Sequence, residues 1–237
     1  MNEKLALLVP EIVTFLTTCL VMVIGLSPSL PVRRSCGLLS AGGLLLAAIF
    51  AVNGPAGDGM LPGMAPYAKA LVALVGVLLV LLVAGTVDRE EDARVLRGGV
   101  FDALRTNRAE FYAFFLFSLT GVMLCASATD LIWLFLALEL TSLPTYVMVT
   151  MSTRGTRSQE AGVKYFFLGA LGAAVFLYGF ALIYGGTGST KFVEIASSIS
   201  ENGLGPITLA GMVLAIIGVS FKIAAVPMHF YTADVYQ

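Results

Sequence analysis

Charge is scarce in this chain: Asp, Glu, Lys and Arg make up 12% of its 237 residues, about half the share of an ordinary soluble domain. With 58% apolar residues and a mean hydropathy of +0.91, that scarcity excludes the soluble class and points to a membrane protein. Cysteine and histidine are rarer still. Cys19, Cys36 and Cys125 are scattered with no two at a metal-ligand spacing, and His229 is the single histidine. Iron–sulfur clusters usually take four thiolates and haem needs an axial ligand, so the chain is expected to hold no redox cofactor and no metal of its own. A net charge of −1 offers no electrostatic footing for nucleic acid. No cleaved signal peptide is expected either, because the first apolar run is long and has Glu11 inside it.

What is abundant is apolar sequence in runs of bilayer length, about 20 residues as helix. Seven such runs are expected, at about 5–26, 37–53, 66–87, 110–128, 131–151, 161–185 and 206–230. The second is the shortest and is rich in glycine. The connection 88–109 is densely charged, and Val95, Leu96, Val100, Phe101 and Leu104 give it a roughly helical apolar spacing that suits either a surface helix or a solvated loop. Nine of the 14 basic residues (Arg33, Arg34, Arg89, Arg94, Arg97, Arg105, Arg108, Arg154 and Arg157) fall in alternate connections. Lys4, Lys69 and Lys191 fall to the opposite face. The positive-inside rule then predicts an outside amino terminus and a seventh span heading inward. The sequence stops just after that span, as expected of an amino-terminal fragment of a longer protein.

Two charges lie deep in apolar runs, where an ionisable side chain costs about 2.5–3.5 kcal/mol on insertion scales. Glu139 stands about 12 Å into the fifth span. It is either half of a structural interhelical pair or a proton-carrying carboxylate. Lys222 lies among Ile216, Ile217, Phe221 and Ile223, with a stem long enough to snorkel. Lys164, four residues after Glu160 and close to Arg157, reads on position alone as a snorkelling lysine paired with that glutamate. Pro144 follows Glu139 by five residues, and Pro227 follows Lys222 by five. A helical proline frees the carbonyl four residues before it, here Leu140 and Ile223, each directly after the charge. Both charges are therefore expected beside locally hydrated helix breaks. The run Gly185–Thr190 reads as an interhelical turn, since no P-loop lysine is in register. Pro10 and Glu11 read as the opening turn of the first span, and Tyr112, Trp133, Tyr178 and Tyr184 as anchors or packing.

Together these motifs carry a resemblance. Leu138-Glu139-Leu140-Thr141-Ser142-Leu143-Pro144-Thr145-Tyr146 resembles the fifth-helix motif of antiporter-like subunits of proton-pumping NADH:quinone oxidoreductase. Glu160-Ala161-Gly162-Val163-Lys164-Tyr165-Phe166 is similar to their sixth helix. Phe221-Lys222-Ile223-Ala224-Ala225-Val226-Pro227-Met228-His229, followed by Asp234-Val235-Tyr236, resembles the broken seventh. With Glu110-Phe111-Tyr112 and Pro10-Glu11, the likeness is to the N-type subunit, strong over about 105–237. It departs at Ala233, where the family often has proline.

The resemblance implies an all-α polytopic transmembrane bundle with an antiporter-like fold and a discontinuous seventh helix. Residues 1–104 would be three leading helices and their charged connection, and 105–237 the first part of the core repeat. It implies that Glu139, Lys222 and Lys164 form a proton relay, with Pro144 and Pro227 at hydrated breaks and His229 as a possible further member. Redox chemistry elsewhere would drive it: flavin and iron–sulfur clusters in partner subunits, quinone bound elsewhere, and other membrane-arm subunits and the lipid bilayer as neighbours. The inner membrane of a bacterium is the expected location. Two other readings stay open on the residues, a subunit of a cation/proton antiporter complex and a structural membrane-arm scaffold.

Overall fold

Four of the apolar helices begin with a proline in the first turn, where the missing N–H costs nothing because that donor has no intrahelical acceptor. They are Pro10, Pro31, Pro66 and Pro206. A computed structural model describes residues 2–55, 63–152, 156–226 and 228–235, with backbone alone at 2–4 and 104. Pro227 and Arg154, and the side chains of Lys4 and Leu104, lie outside the described residues. The helices are α1 (Asn2–Leu7), α2 (Val9–Gly25), α3 (Leu30–Asn53), α4 (Ala65–Val83), α5 (Arg89–Leu96), α6 (Arg108–Ala126), α7 (Leu131–Met151), α8 (Thr156–Thr187), α9 (Phe192–Asn202), α10 (Pro206–Ser220) and α11 (Thr232–Val235). The all-α bundle expected from the sequence is what forms, and α3, α4, α6, α7 and α8 are each long and apolar enough to cross a bilayer.

The chain divides into two compact units, Met1–Ser127 and Ala128–Gln237. In the first, α2, α3, α4 and α6 pack around Val21, Leu44, Ala73, Tyr112, Leu116 and Met123. Helix α6 therefore sits with the leading helices, although the sequence reading grouped it with the second part. Helix α3 runs from Leu30 rather than from 37, because the buried Arg33 finds acceptors in the connection. Its guanidinium donates to the carbonyls of Ser27 (2.8 Å) and Ala103 (3.1 Å) and to the hydroxyl of Thr106. The charged connection is not one surface helix. Arg89–Leu96 is α-helical and Ala103–Arg105 forms one 3-10 turn, Leu96 and Val100 are exposed, and the Phe101 ring lies 5.9 Å from the Arg33 guanidinium.

In the second unit, α8 and α10 lie against each other through glycines. A Cβ on Gly179 would stand 2.5 Å from the backbone nitrogen of Ala215, and one on Gly218 would stand 2.5 Å from that of Phe176. Such backbone-to-backbone approach is how membrane helices gain dispersion energy where lipid removes the hydrophobic drive. Helix α9 was not expected. It docks through Ile195 onto Leu131 and Phe180, and a single bridge between Asp130 and Lys191 joins its start to that of α7. Consequently α8 continues to Thr187, and the Gly185–Thr190 turn shortens to its last residues.

Candidate functional site

The fifth apolar run folds as α7 because Asp130 caps it, accepting from the Trp133 amide at 2.8 Å. Pro144 lies inside this helix, so the carbonyl of Leu140 loses its backbone donor. Hydroxyls crowd the same stretch. Thr141 donates to the Ala137 carbonyl at 3.0 Å, Ser142 to Leu138 at 2.8 Å and Thr145 to Ser142 at 2.6 Å. Such back-bonding keeps polar groups satisfied at membrane depth and loosens the helix locally. Glu139 stands at the start of this polar stretch.

The seventh apolar run does not form a single helix. Helix α10 has 15 residues, about 22 Å at 1.5 Å each, too short for a hydrocarbon core of about 30 Å. It ends at Ser220, two residues before Lys222. The chain then turns, with Lys222 N–H donating to the Val219 carbonyl (2.8 Å) and Ala225 N–H to the Ser220 carbonyl (2.9 Å), while Ala224 takes a left-handed φ of 51°. The Tyr231 hydroxyl donates to the Phe221 carbonyl at 2.7 Å and fixes the return. Its ring stacks on Tyr165 (4.8 Å) and packs at a tilt against Phe221 (4.4 Å). The discontinuity expected at the seventh helix is present, and it falls on the charged residue itself. Because α10 ends at Ser220, Ile223 lies beyond the helix, and the break at Lys222 is complete before the position of Pro227 is reached.

The break delivers Lys222 to α7. Its Nζ lies 3.3 Å from Glu139 Oε1, donates to the Leu138 carbonyl at 3.4 Å and bonds the Ser142 hydroxyl. The Phe176 ring stands 6.0 Å away. Both side chains are largely buried, 15% exposed for Lys222 and 20% for Glu139. One ammonium thus meets a carboxylate, a carbonyl and a hydroxyl of the same helical turn.

Residues 128–237 match the family described as NADH:quinone oxidoreductase/Mrp antiporter, transmembrane. NADH-quinone oxidoreductase subunit N of Rhizorhabdus wittichii is 37% identical across 100% of the chain and 48% of that protein. The subunit N of Rhodospirillum rubrum is 36% identical across 96% of the chain and 46% of its own length. Among solved structures, a chain of respiratory complex I from Thermus thermophilus with bound aureothin superposes with a TM-score of 0.70 at 30% identity, over 96% of this chain and 47% of that one. The chain belongs to this antiporter-like family. It spans about half the length of the curated relatives it matches. A chain of an archaeal membrane-bound sulfane sulfur reductase shares the fold, with a TM-score of 0.78 at 20% identity.

Within this family member the other expected residues lie apart from the Glu139–Lys222 contact. Lys164 is half exposed and pairs with Glu160 at 2.8 Å and with Asp234 of α11 at 2.9 Å. These groups line a cleft of about 460 Å³ together with Arg157, Ser152 and Ser158. The Glu160 partner is the one its position predicts; Asp234 comes from the return after the break. His229 is exposed, its ring 5.1 Å from Phe230, and the structure does not bring it to the Glu139–Lys222 pair.

Sequence reasoning missed Ser142, although it stands one helical step (i+3) from Glu139 and so on the same face. It also missed the link between Glu11 and Lys69. Glu11 does lie in the first turn of α2, as read, but it and Lys69 also form a buried pair, 2.8 Å apart, that the sequence did not show.

Proposed function

We propose that this chain is part of a proton-translocating membrane-arm subunit of NADH:quinone oxidoreductase, and that Glu139 and Lys222 are its proton relay. The observation that carries the proposal is the 3.3 Å contact made where α10 breaks. In a low-dielectric bundle the energy of the Lys222 ammonium depends on the charge of Glu139. Neutralising or withdrawing that carboxylate leaves the ammonium uncompensated, and Lys222 gives its proton to water reaching the break, the Leu138 carbonyl and Ser142 hydroxyl holding the neutral amine by hydrogen bonds. Restoring the carboxylate draws a proton back. The non-helical turn at 221–225 supplies the freedom this exchange needs, because a lysine at a break can reorient without unwinding a helix.

Redox chemistry in partner subunits would supply the drive, with flavin, iron–sulfur clusters and quinone held there. Lys164, with Glu160 and Asp234 in its cleft, would be the next member of the path. Its half exposure suits a group that exchanges protons with water. The orientation with the amino terminus outside, in a bacterial inner membrane, belongs to the same proposal.

The test is Glu139→Gln in the complete complex, reconstituted in sealed vesicles. Proton pumping should fall at least tenfold while the complex still assembles with its flavin and iron–sulfur subunits. A scaffold gives the opposite pattern, with normal pumping per electron and reduced assembly. Lys222→Met should reproduce the pumping loss.

A further inference from the structure

The leading unit holds a second carboxylate–ammonium pair that the relay above does not use. Glu11 Oε1 lies 2.8 Å from Lys69 Nζ, and the side chains are 4% and 2% exposed. This is the more deeply buried of the two pairs. Glu11 is the third residue of α2 and Lys69 the fifth of α4, so the pair sits about one turn inside the ends of two helices. Lys69 also donates to the Leu7 carbonyl at 2.7 Å. The ammonium is thus held from two sides, by α1 and by α2.

The carboxylate is not held in this way. Neither Glu11 oxygen makes a well-aligned hydrogen bond among the described residues, so the Lys69 contact at Oε1 is an ion pair and Oε2 has the buried Ser127 hydroxyl as its polar neighbour. Ser127, at the end of α6, acts on the Glu11 carboxylate. One turn deeper, Thr14 carries the polar stripe onward. Its hydroxyl donates to the carbonyls of Pro10 (3.1 Å) and Glu11 (2.9 Å) and accepts from Thr120 at 3.0 Å. On the Lys69 side of the pair, a cavity of about 10 Å³ is lined by Leu7, Pro10, Gly54, Pro66 and Lys69, room for about one water. Among the described residues, Lys69 on α4 is the charged group facing Glu11; α6 presents hydroxyls, and α3 brings no ionisable group to it.

A pair kept only to register helices would have its lone pairs filled, since apolar side chains of equal volume pack as well or better. A buried carboxylate with no well-aligned hydrogen bond, one ion pair away from a water-sized cavity, is instead arranged to accept a proton. We propose that Glu11 and Lys69 form a second proton-exchange site, in the leading helices and separate from Glu139 and Lys222. Hydronium reaching the cavity beside Lys69 gives its proton to Glu11 Oε2 and leaves as water, while Lys69 stays an ammonium because the Leu7 carbonyl holds it at 2.7 Å, where the carbonyl nearest Lys222 stands at 3.4 Å. The site alternates between net charge 0 and +1. Loss of the proton to water reverses the step.

Protonation of Glu11 can be read directly in the intact complex. Dicyclohexylcarbodiimide attacks buried protonated carboxyls, so peptide mass spectrometry should find an adduct at Glu11 that grows severalfold as the medium is acidified. A pH-difference infrared spectrum should show a protonated-carboxyl band that Glu11→Gln removes. Lys69→Met should extend both signals to more alkaline medium. The wild-type measurements need no variant to fold. Absence of both adduct and band at every pH, in a complex that still oxidises NADH, overturns the proposal. Because the readout is protonation and not pumping, its failure leaves the Glu139 relay standing. Conversely, a Glu139→Gln complex that still pumps leaves this site untouched.

Discussion

Two arginines share one carboxylate at Asp92. Arg108 lies 2.6 Å from it and Arg34 lies 3.1 Å away. Burial pushes the Asp92 carboxyl up, but the hydrogen bonds from Arg108 and Arg34 outweigh it and hold the group below the usual carboxylate range. Asp88, four residues earlier, goes the other way. Burial raises it, and only the Asn107 amide (3.2 Å) and the nearby Arg108 oppose that. The signs of the two linkages therefore differ. A depressed carboxyl stabilises the connection at pH above its unfolded value and loses that contribution as pH falls through the folded value. A raised one penalises the folded connection once it ionises, so acidification relieves the cost. Asp92→Asn should weaken hydrogen-exchange protection across 88–107 by about 1–3 kcal/mol, since it leaves the buried Arg108 without its counter-charge. Asp88→Asn should cost under about 1 kcal/mol, because it removes a charge that burial already disfavours. Equal losses at the two positions would refute this assignment of roles.

At the scale of elements, the contact between α8 and α10 decides where Lys222 stands. Gly172, Gly179 and Gly186 recur every seven residues on α8, facing Phe221 with Gly218, Gly211 with Ala215, and Thr208 in turn. The order is that of an antiparallel pair, and the neighbours are mostly backbone, which cannot move aside. Gly179→Leu should therefore destabilise the second unit by about 1–3 kcal/mol as overpacking. It should also lower pumping, because it shifts α10 relative to α8. Gly42→Leu is the control, as a Cβ there meets nothing within 4 Å. Thermal stability and pumping of both variants check the prediction. Pro144→Ala restores a donor to the Leu140 carbonyl. It should straighten α7 and reduce proton flux severalfold, and unchanged flux would separate the proline from function.

For the whole molecule, the testable quantity is orientation. The nine arginines on alternate connections predict an outside amino terminus. In a background without the three native cysteines, Ser200→Cys on α9 should react with an impermeant maleimide on intact cells. Ser152→Cys, on the other side of α8, should react only after permeabilisation. The reverse pattern would invert the topology.

The apolar runs, the proline-led start of the first span and the two expensive charges were legible in the residues alone. Each follows from a local rule: bilayer length, a missing N–H, or the cost of ionising a side chain in hydrocarbon. The four family motifs belong to the same level, because they are contiguous. What a one-dimensional pattern does not contain is the distance between residues remote in sequence. Glu139 and Lys222, 83 positions apart, and Glu11 and Lys69, 58 apart, become pairs only when helices pack. For the first pair, position within apolar runs already marked both members. For the second it did not, since an acid in a first turn and a lysine near a span end each have an ordinary explanation. Tertiary packing alone paired them, by closing α2, α4 and α6 over both groups and leaving space for about one water beside Lys69.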